Sequence, residues 1–86
     1  MLPVANDDLI LVAGAGGFIG GHLVSDLLRA GHRRIRAVDV KPLGEWYQRF
    51  GEVENVCADL QEKEAAFAAT KGVRQAYNLA ADMGGM

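Results

Sequence analysis

The chain has 86 residues, half of them hydrophobic, with eleven acidic and nine basic side chains and a formal net charge of −2 at pH 7. A domain of this size buries only about 60% of the surface that its unfolded chain exposes, so the chain can form one small domain at most. The interspersed charges provide no basic face for a nucleic acid, and we expect no transmembrane helix because no apolar run approaches ~18 residues.

The first eight residues lack the basic segment that opens a secretory signal peptide. Cys57 is the single cysteine, which excludes an intrachain disulfide and fits a reducing compartment. These two features predict a cytoplasmic protein. Because Cys57 falls within a predicted strand, we expect a buried structural thiol rather than a nucleophile.

The first predicted strand, Leu9–Ala13, leads directly into a glycine-rich turn and an amphipathic helix. A strand, a glycine turn and a helix in this order aim free N–H groups and the positive end of the helix dipole at the two phosphates of a dinucleotide. We therefore predict that the turn binds a cofactor diphosphate. The residues assigned to this site are Gly14, Gly16, Gly17, Phe18, Ile19 and Gly20.

The glycine spacing is Gly-x-x-Gly-x-x-Gly, on Gly14, Gly17 and Gly20, because Ile19 stands where a Gly-x-Gly-x-x-Gly motif needs its third glycine. Each glycine has its own expected role. Gly14 allows the tight turn, Gly17 lets the backbone approach the phosphates, and Gly20 lets the helix pack closely on the strand. The alternative is a glycine-rich turn that binds no ligand.

The helix that follows carries apolar residues at helical spacing, which predicts one face packed on the sheet. That stripe consists of Ile19, Leu23, Val24, Leu27 and Leu28. Gly31 suits the left-handed position just beyond the helix, and His32 lies near the negative end of the helix dipole. We expect a structural role for His32, since it is far from the turn.

The second strand, about residues 34–40, ends at Asp39. An acid at this point can accept hydrogen bonds from both ribose hydroxyls of an adenosine, and it repels a 2′-phosphate, so NAD is favoured over NADP. Lys41 directly after it weakens that preference. At the start of the strand we expect a solvated basic cluster, formed by Arg33, Arg34 and Arg36.

Residues 42–52 have an irregular pattern, which predicts a loop with a short helix. Its aromatic residues could line an adenine pocket, but we expect them to cover the sheet. They are Trp46, Tyr47 and Phe50.

The third strand, about residues 54–58, runs into Asp59 and Leu60, which we also assign to the cofactor site. Asp59 can accept a hydrogen bond from the adenine amino group and can cap the next helix, about residues 61–70. A fourth strand, residues 75–79, precedes Ala80 and Ala81, whose small side chains would let the backbone lie against the cofactor ribose.

The alternation of strands and helices predicts an α/β fold, the N-terminal part of a Rossmann doubly wound parallel sheet with about four strands of βαβαβ type. A complete fold of this class has about six strands. We therefore expect residues 1–86 to be the N-terminal part of an NAD-binding domain, truncated after its fourth strand. The catalytic and substrate-binding portions would be missing.

These motifs resemble the cofactor half of the extended short-chain dehydrogenases/reductases, the NAD-dependent epimerase/dehydratase family. The resemblance rests on the spaced glycines, Asp39, the pair Asp59-Leu60 and the run from Asn78 to Ala81. The closing run, residues 78–86, is similar to the GDP-mannose 3,5-epimerases in particular. Most sister epimerases and dehydratases place a histidine before the paired alanines.

The resemblance implies an NAD-dependent enzyme that acts on a nucleotide sugar, GDP-mannose first of all. The implied reaction is transient oxidation at C4 of the hexose, with inversion at C3 and C5. It further implies that Gly84 and Gly85 approach the substrate through their backbone, and that the complete protein is a homodimer.

The catalytic Tyr-x-x-x-Lys pair of that family is absent, because Tyr47 is followed four residues later by Gly51 and Tyr77 by Ala81. We therefore assign no catalytic residue and no metal ligand, and we expect the chain alone to be inactive. Two alternatives stay open. One is another extended family member, a 4-epimerase or a dehydratase, and the other is a noncatalytic module that responds to NAD.

Overall fold

The computed structural model describes residues 5–79, and this part of the chain forms an α/β fold. In chain order its elements are β1 (Leu9–Ala13), α1 (Phe18–Arg29), β2 (Ile35–Asp39), a short 3-10 helix (Leu43–Glu45), β3 (Glu54–Cys57), α2 (Lys63–Thr70) and β4 (Val73–Asn78). The strands form one parallel sheet in the order β3-β2-β1-β4. This arrangement confirms the predicted Rossmann-type sheet.

The central strand β1 is buried along its whole length, because helices cover both faces of the sheet. Ile10 and Val12 point to one face, where they pack with Val24 and Leu27 of α1. Leu11 points to the other face and packs with Ala69 of α2 and with Val38 of β2. Since all strands run the same way, their carboxyl ends meet at one edge, where the glycine turn begins.

Helix α1 ends as its sequence predicts. Gly31 has a φ of +99°, in the left-handed region that favours glycine. Its N–H donates to the carbonyl of Leu28, and the N–H of His32 donates to the carbonyl of Leu27. These two bonds form a Schellman motif, which satisfies carbonyl groups that the helix itself leaves unbonded.

The predicted apolar stripe of α1 is wrong at one position. Ile19 is 68% exposed, whereas the buried residues of the helix include Gly20, Gly21, Val24 and Leu27. The helix turns this face inward because Gly20 packs directly on the glycine turn. Ile19 is about 100° away around the helix axis and therefore faces outward.

Helix α2 begins at Lys63, two residues later than expected, and Asp59 does not cap it. The Asp59 carboxylate instead accepts the N–H of Gln61, at 2.9 Å. The Asp59 carbonyl accepts the N–H of Glu62, at 3.0 Å. These bonds make a turn of residues 59–62, so the helix can start only after it.

Strand β4 begins at Val73, two residues earlier than expected. Leu9 pairs with Val73 but Ile10 pairs with Gln75, so the register shifts between these pairs. The irregularity accommodates Arg74 and lets pairing start directly after the turn that follows α2.

Three further expectations concern single side chains. Trp46 is buried in the core on the α1 side, and Phe50 packs against this core. These two aromatic residues cover the sheet as predicted, whereas Tyr47 is exposed. Cys57 is exposed rather than buried, because β3 is an edge strand with little cover. Arg36, expected in a solvated cluster, is instead largely covered.

The Arg36 side chain is only 17% exposed and joins β2 to the end of α2. Its Nη1 donates to the carbonyls of Ala69 and Lys71, at 2.6 and 3.2 Å. Its Nε donates to the carboxylate of Glu54, at 3.0 Å. A guanidinium with several donors is well suited to the unbonded carbonyls at a helix end.

Candidate functional site

The glycine turn between β1 and α1 is shaped by two of its glycines. Gly14 has a φ of +89°, a conformation that side chains rarely adopt. A β-carbon added to Gly20 would overlap the carbonyl oxygen of Gly14 and lie 2.8 Å from the Cα of Ala15. The predicted tight turn at Gly14 and the close packing at Gly20 are both confirmed.

Hydrogen bonds to β2 anchor the start of the turn. The N–H groups of Gly14 and Ala15 both donate to the carbonyl of Val38, at 2.8 and 3.1 Å. These two donors are therefore used by the fold. The donors left for a ligand lie further along, at the beginning of α1.

The first N–H groups of α1 have no acceptor within the helix, as at every helix N-terminus. The first turn of α1 also contains no acidic side chain, so no residue of the helix itself neutralises the positive end of its dipole. A β-carbon on Gly17 would lie 3.7 Å from the nearest protein atom, the carbonyl oxygen of Gly14. The fold itself therefore tolerates a larger residue at Gly17, and the open space in front of it is available to an anion.

Gly16 is held by the last residue of β2 and by the segment that follows this strand, a link that no sequence pattern predicted. Its N–H donates to Oδ2 of Asp39, at 2.9 Å, and its carbonyl accepts the N–H of Tyr47, at 2.9 Å. A β-carbon there would lie 2.9 Å from Cδ1 of Trp46 and 3.0 Å from the carboxylate of Asp39. Gly16 is thus required by the packing of the protein itself.

Asp39 ends β2 beside the turn, as predicted, and is half-buried. Its other oxygen, Oδ1, accepts the N–H of Lys41, at 3.0 Å. A carboxylate has about four acceptor positions, so two remain after these bonds. The side chain is therefore fixed in place and can still accept hydrogen bonds from a ligand.

A groove of about 710 Å³ runs along the carboxyl ends of the strands on the α2 side of the sheet. Its wall contains five of the predicted site residues, namely Gly14, Gly17, Asp39, Asp59 and Leu60. The groove thus brings together residues that are as much as 46 positions apart, since Gly14 and Leu60 both line it. Leu60 is half-buried and packs against the apolar cluster beneath.

The remaining predicted residues lie elsewhere. Gly16 is buried in the turn, Gly20 is buried in α1 against the turn, and Ile19 faces outward from α1. The exposed ring of Phe18 contacts those of His22 and Tyr47, with centroids 4.5 and 4.9 Å away. Phe18 and Ile19 can therefore contribute to the site through their backbone N–H groups.

Four predicted site residues, Ala80, Ala81, Gly84 and Gly85, lie outside the described residues. Their assignment to the cofactor and the substrate stays a prediction. Within residues 5–79, neither helix has the length and apolar character needed to cross a membrane.

Comparison with known proteins identifies the family. The sequence model of the 3-beta hydroxysteroid dehydrogenase/isomerase family matches residues 11–86. GDP-mannose 3,5-epimerase 1 of Oryza sativa subsp. japonica and GDP-mannose 3,5-epimerase of Arabidopsis thaliana are each 40% identical to the chain over 77 residues. Each match covers 90% of this chain and 20% of the relative, so the chain spans about a fifth of their length.

The fold also matches a solved structure, a short-chain dehydrogenase/reductase superfamily protein from Agrobacterium tumefaciens with bound NAD. The TM-score is 0.70 and the identity 29%, over 91% of this chain and 22% of that one. The resemblance drawn from the glycine spacing and the strand-end residues is therefore confirmed. The chain belongs to the 3-beta hydroxysteroid dehydrogenase/isomerase family, within the short-chain dehydrogenase/reductase superfamily.

Proposed function

We propose that the chain is the NAD-binding part of a nucleotide-sugar epimerase. The observation that carries the NAD-binding part of this proposal is the position of the Asp39 carboxylate, 2.9 Å from the N–H of Gly16 in the glycine turn. A ribose acceptor directly beside a helix N-terminus suits an adenosine diphosphate, which carries both groups. A bound NAD would supply a hydride acceptor and donor, and the chain would supply binding and orientation.

The described residues fit NAD on structural grounds. Gly17 leaves open space in front of the first N–H groups of α1, where the diphosphate would be held. Asp39 would accept the ribose hydroxyls, and its charge disfavours the 2′-phosphate of NADP. Asp59, on the wall of the same groove, would accept the adenine amino group. Ala80 and Ala81 would lie against the ribose.

We further propose that the substrate is GDP-mannose and the reaction a 3,5-epimerisation by transient oxidation at C4. The support is the 40% identity to two plant proteins with that name, over 90% of the chain. Gly84 and Gly85 would approach the sugar nucleotide through their backbone. Since the chain lacks Tyr-x-x-x-Lys, the groups that move protons would belong to other parts of a longer, homodimeric enzyme, and this chain alone would be inactive.

The test uses the complete protein, meaning the product of the entire reading frame that contains this chain. After bound nucleotide is stripped, titration calorimetry should show saturable binding of NAD and weaker binding of NADP. Incubation with GDP-mannose in D₂O should then place deuterium at C3 and C5 of the hexose, detected by NMR. Absence of NAD binding would refute the cofactor assignment.

Other outcomes identify the alternatives. A 4-epimerase would invert C4 of a nucleotide sugar without deuterium at C3 or C5, and a dehydratase would release a product lighter by one water. NAD binding without turnover of any nucleotide sugar would support a noncatalytic module. A 3β-hydroxysteroid serves as the control substrate suggested by the family name, and its oxidation would refute the sugar assignment.

A further inference from the structure

We propose that Asp39 is also a positioning residue, which sets the conformation of the phosphate-binding turn through Gly16. This inference rests on the proposed binding of NAD. It assigns the carboxylate a second task besides accepting ribose hydroxyls, and it assigns Trp46 a supporting part. We call Asp39, Lys41, Trp46 and Tyr47 the Gly16 clasp.

The clasp holds both backbone polar groups of Gly16. Asp39 accepts its N–H at 2.9 Å, and the N–H of Tyr47 donates to its carbonyl at 2.9 Å. One peptide unit on each side of Gly16 is thereby oriented by a segment more than twenty residues away. These peptides lead into the first N–H groups of α1, which the proposed site aims at the diphosphate.

The clasp is itself fixed internally. The N–H of Lys41 donates to Oδ1 of Asp39 at 3.0 Å, and the indole Nε1–H of Trp46 donates to the carbonyl of Lys41 at 2.9 Å. Trp46 is buried, and Cδ1 of its ring lies against the position that a side chain on Gly16 would occupy. The carboxylate therefore has little freedom to move, and neither has Gly16.

The consequence is a coupling between two subsites. If Asp39 only bound ribose, its removal would matter only for ligands that carry ribose hydroxyls. Because it also orients the turn, its removal frees the Gly16 N–H and loosens the phosphate donors for every dinucleotide. Loss of a negative charge near a diphosphate would by itself strengthen binding. Weaker binding of a ligand without ribose hydroxyls would therefore indicate that Asp39 orients the turn, and stronger binding would indicate an effect of charge alone.

The test compares NAD with an NAD analogue whose adenosine ribose lacks both the 2′- and 3′-hydroxyls. Affinities for the nucleotide-stripped complete protein are measured by titration calorimetry for wild type, Asp39→Ala and Glu45→Ala. Glu45 is the matched control, an exposed acid in the intervening 3-10 helix with no described contact to Gly16. The proposal predicts that Asp39→Ala weakens binding of the hydroxyl-free analogue about tenfold, and that Glu45→Ala causes no comparable loss of affinity.

A second measurement tests the hydrogen bond from Gly16 to Asp39 in the protein without ligand. In protein labelled with ¹⁵N-glycine, the amide resonance of Gly16 should move upfield and its hydrogen exchange should speed up in Asp39→Ala. If that variant fails to fold, Asp39→Asn, which keeps one acceptor oxygen, should weaken the analogue at least threefold. Trp46→Phe, which removes the indole donor together with part of the buried ring, should give a smaller loss of the same sign.

Unchanged or tighter binding of the analogue by folded Asp39→Ala or Asp39→Asn would overturn the proposal, as would an equal loss in Glu45→Ala. Failure of the wild-type protein to bind NAD at all would instead refute the proposed function. The two failures are therefore distinguishable.

Discussion

The substitution Gly→Ala at positions 17 and 20 separates the two tasks of the glycine turn, folding and ligand binding. At Gly20 the added methyl group would overlap the backbone of Gly14 and come within 2.8 Å of the Cα of Ala15. Backbone atoms cannot rotate away, so α1 would have to shift. We expect the destabilisation from this clash to reach the upper end of the range for overpacked cores, about 3 kcal/mol. The better helix propensity of alanine offsets about 1 kcal/mol.

The net destabilisation expected for Gly20→Ala is therefore about 2 kcal/mol. At Gly17 the same methyl group meets nothing closer than 3.7 Å, and the backbone, at φ −87° and ψ 177°, is extended and open to any residue. Alanine stabilises the protein by lowering the conformational entropy of the unfolded chain, but it is a weaker N-cap than glycine. These two effects nearly cancel, so the free energy of unfolding should change by no more than about 0.5 kcal/mol. The methyl group would, however, project into the space proposed for the diphosphate.

The assay measures both properties on the complete protein. Urea unfolding gives stability, and a loss of 2 kcal/mol moves the midpoint by about 1 M for a typical urea dependence. Titration calorimetry gives NAD affinity, which should fall at least tenfold in Gly17→Ala despite its normal stability. A Gly20→Ala variant as stable as wild type would refute the packing argument. Normal NAD binding by Gly17→Ala would refute the assignment of this open space to the diphosphate.

Three further predictions concern the scaffold. Arg36→Ala should destabilise the protein by about 1–3 kcal/mol, because the partly buried guanidinium bonds the carbonyls that end α2. Arg33→Ala, which removes a largely exposed ion pair, should change stability by less than about 1 kcal/mol. Urea unfolding compares the two variants. Gly31→Ala should cost about 1 kcal/mol because of the φ of +99°, measured in the same way, and a neutral effect would contradict the left-handed cap. Cys57 should react with a thiol reagent in the native protein at a rate close to that in urea, since the residue is exposed; strong protection would contradict its exposure.

Local signals in the sequence were sufficient for β1, the turn and α1. A five-residue apolar run predicted the buried strand, glycine spacing predicted the turn, and Gly31 predicted the end of the helix. For the turn and the end of α1 the deciding contacts lie within a few residues, so spacing along the chain carries the information. For β1 the unbroken apolar run is itself the signal, although distant residues of α1, α2 and β2 cover the strand. The positive φ of Gly14 and the packing of Gly20 on the turn follow from the same local geometry.

The errors arose where one sequence feature is compatible with two structures. An aspartate such as Asp59 favours both a helix N-cap and a turn closed two residues later, and here the turn is formed. Ile19 fits a helical stripe by spacing alone, but the contact of Gly20 with the turn decides which face is inside. The link from Gly16 to Asp39 and Trp46 spans 23 and 30 residues, and no local pattern encodes it.

The distribution of charge explains how an acidic chain can suit a diphosphate. Arg33 and Arg74 pair with Asp7 and Asp8, and these residues lie near the amino ends of the strands, away from the groove. In the described part of the chain, Lys41 alone among basic residues lines the groove. The phosphate donors proposed here are instead backbone N–H groups, which add no net charge. A nucleic acid needs a track of basic side chains for its many phosphates, whereas two phosphates can be bound by one helix N-terminus. A net charge of −2 therefore argues against the first ligand and leaves the second fully compatible with the fold.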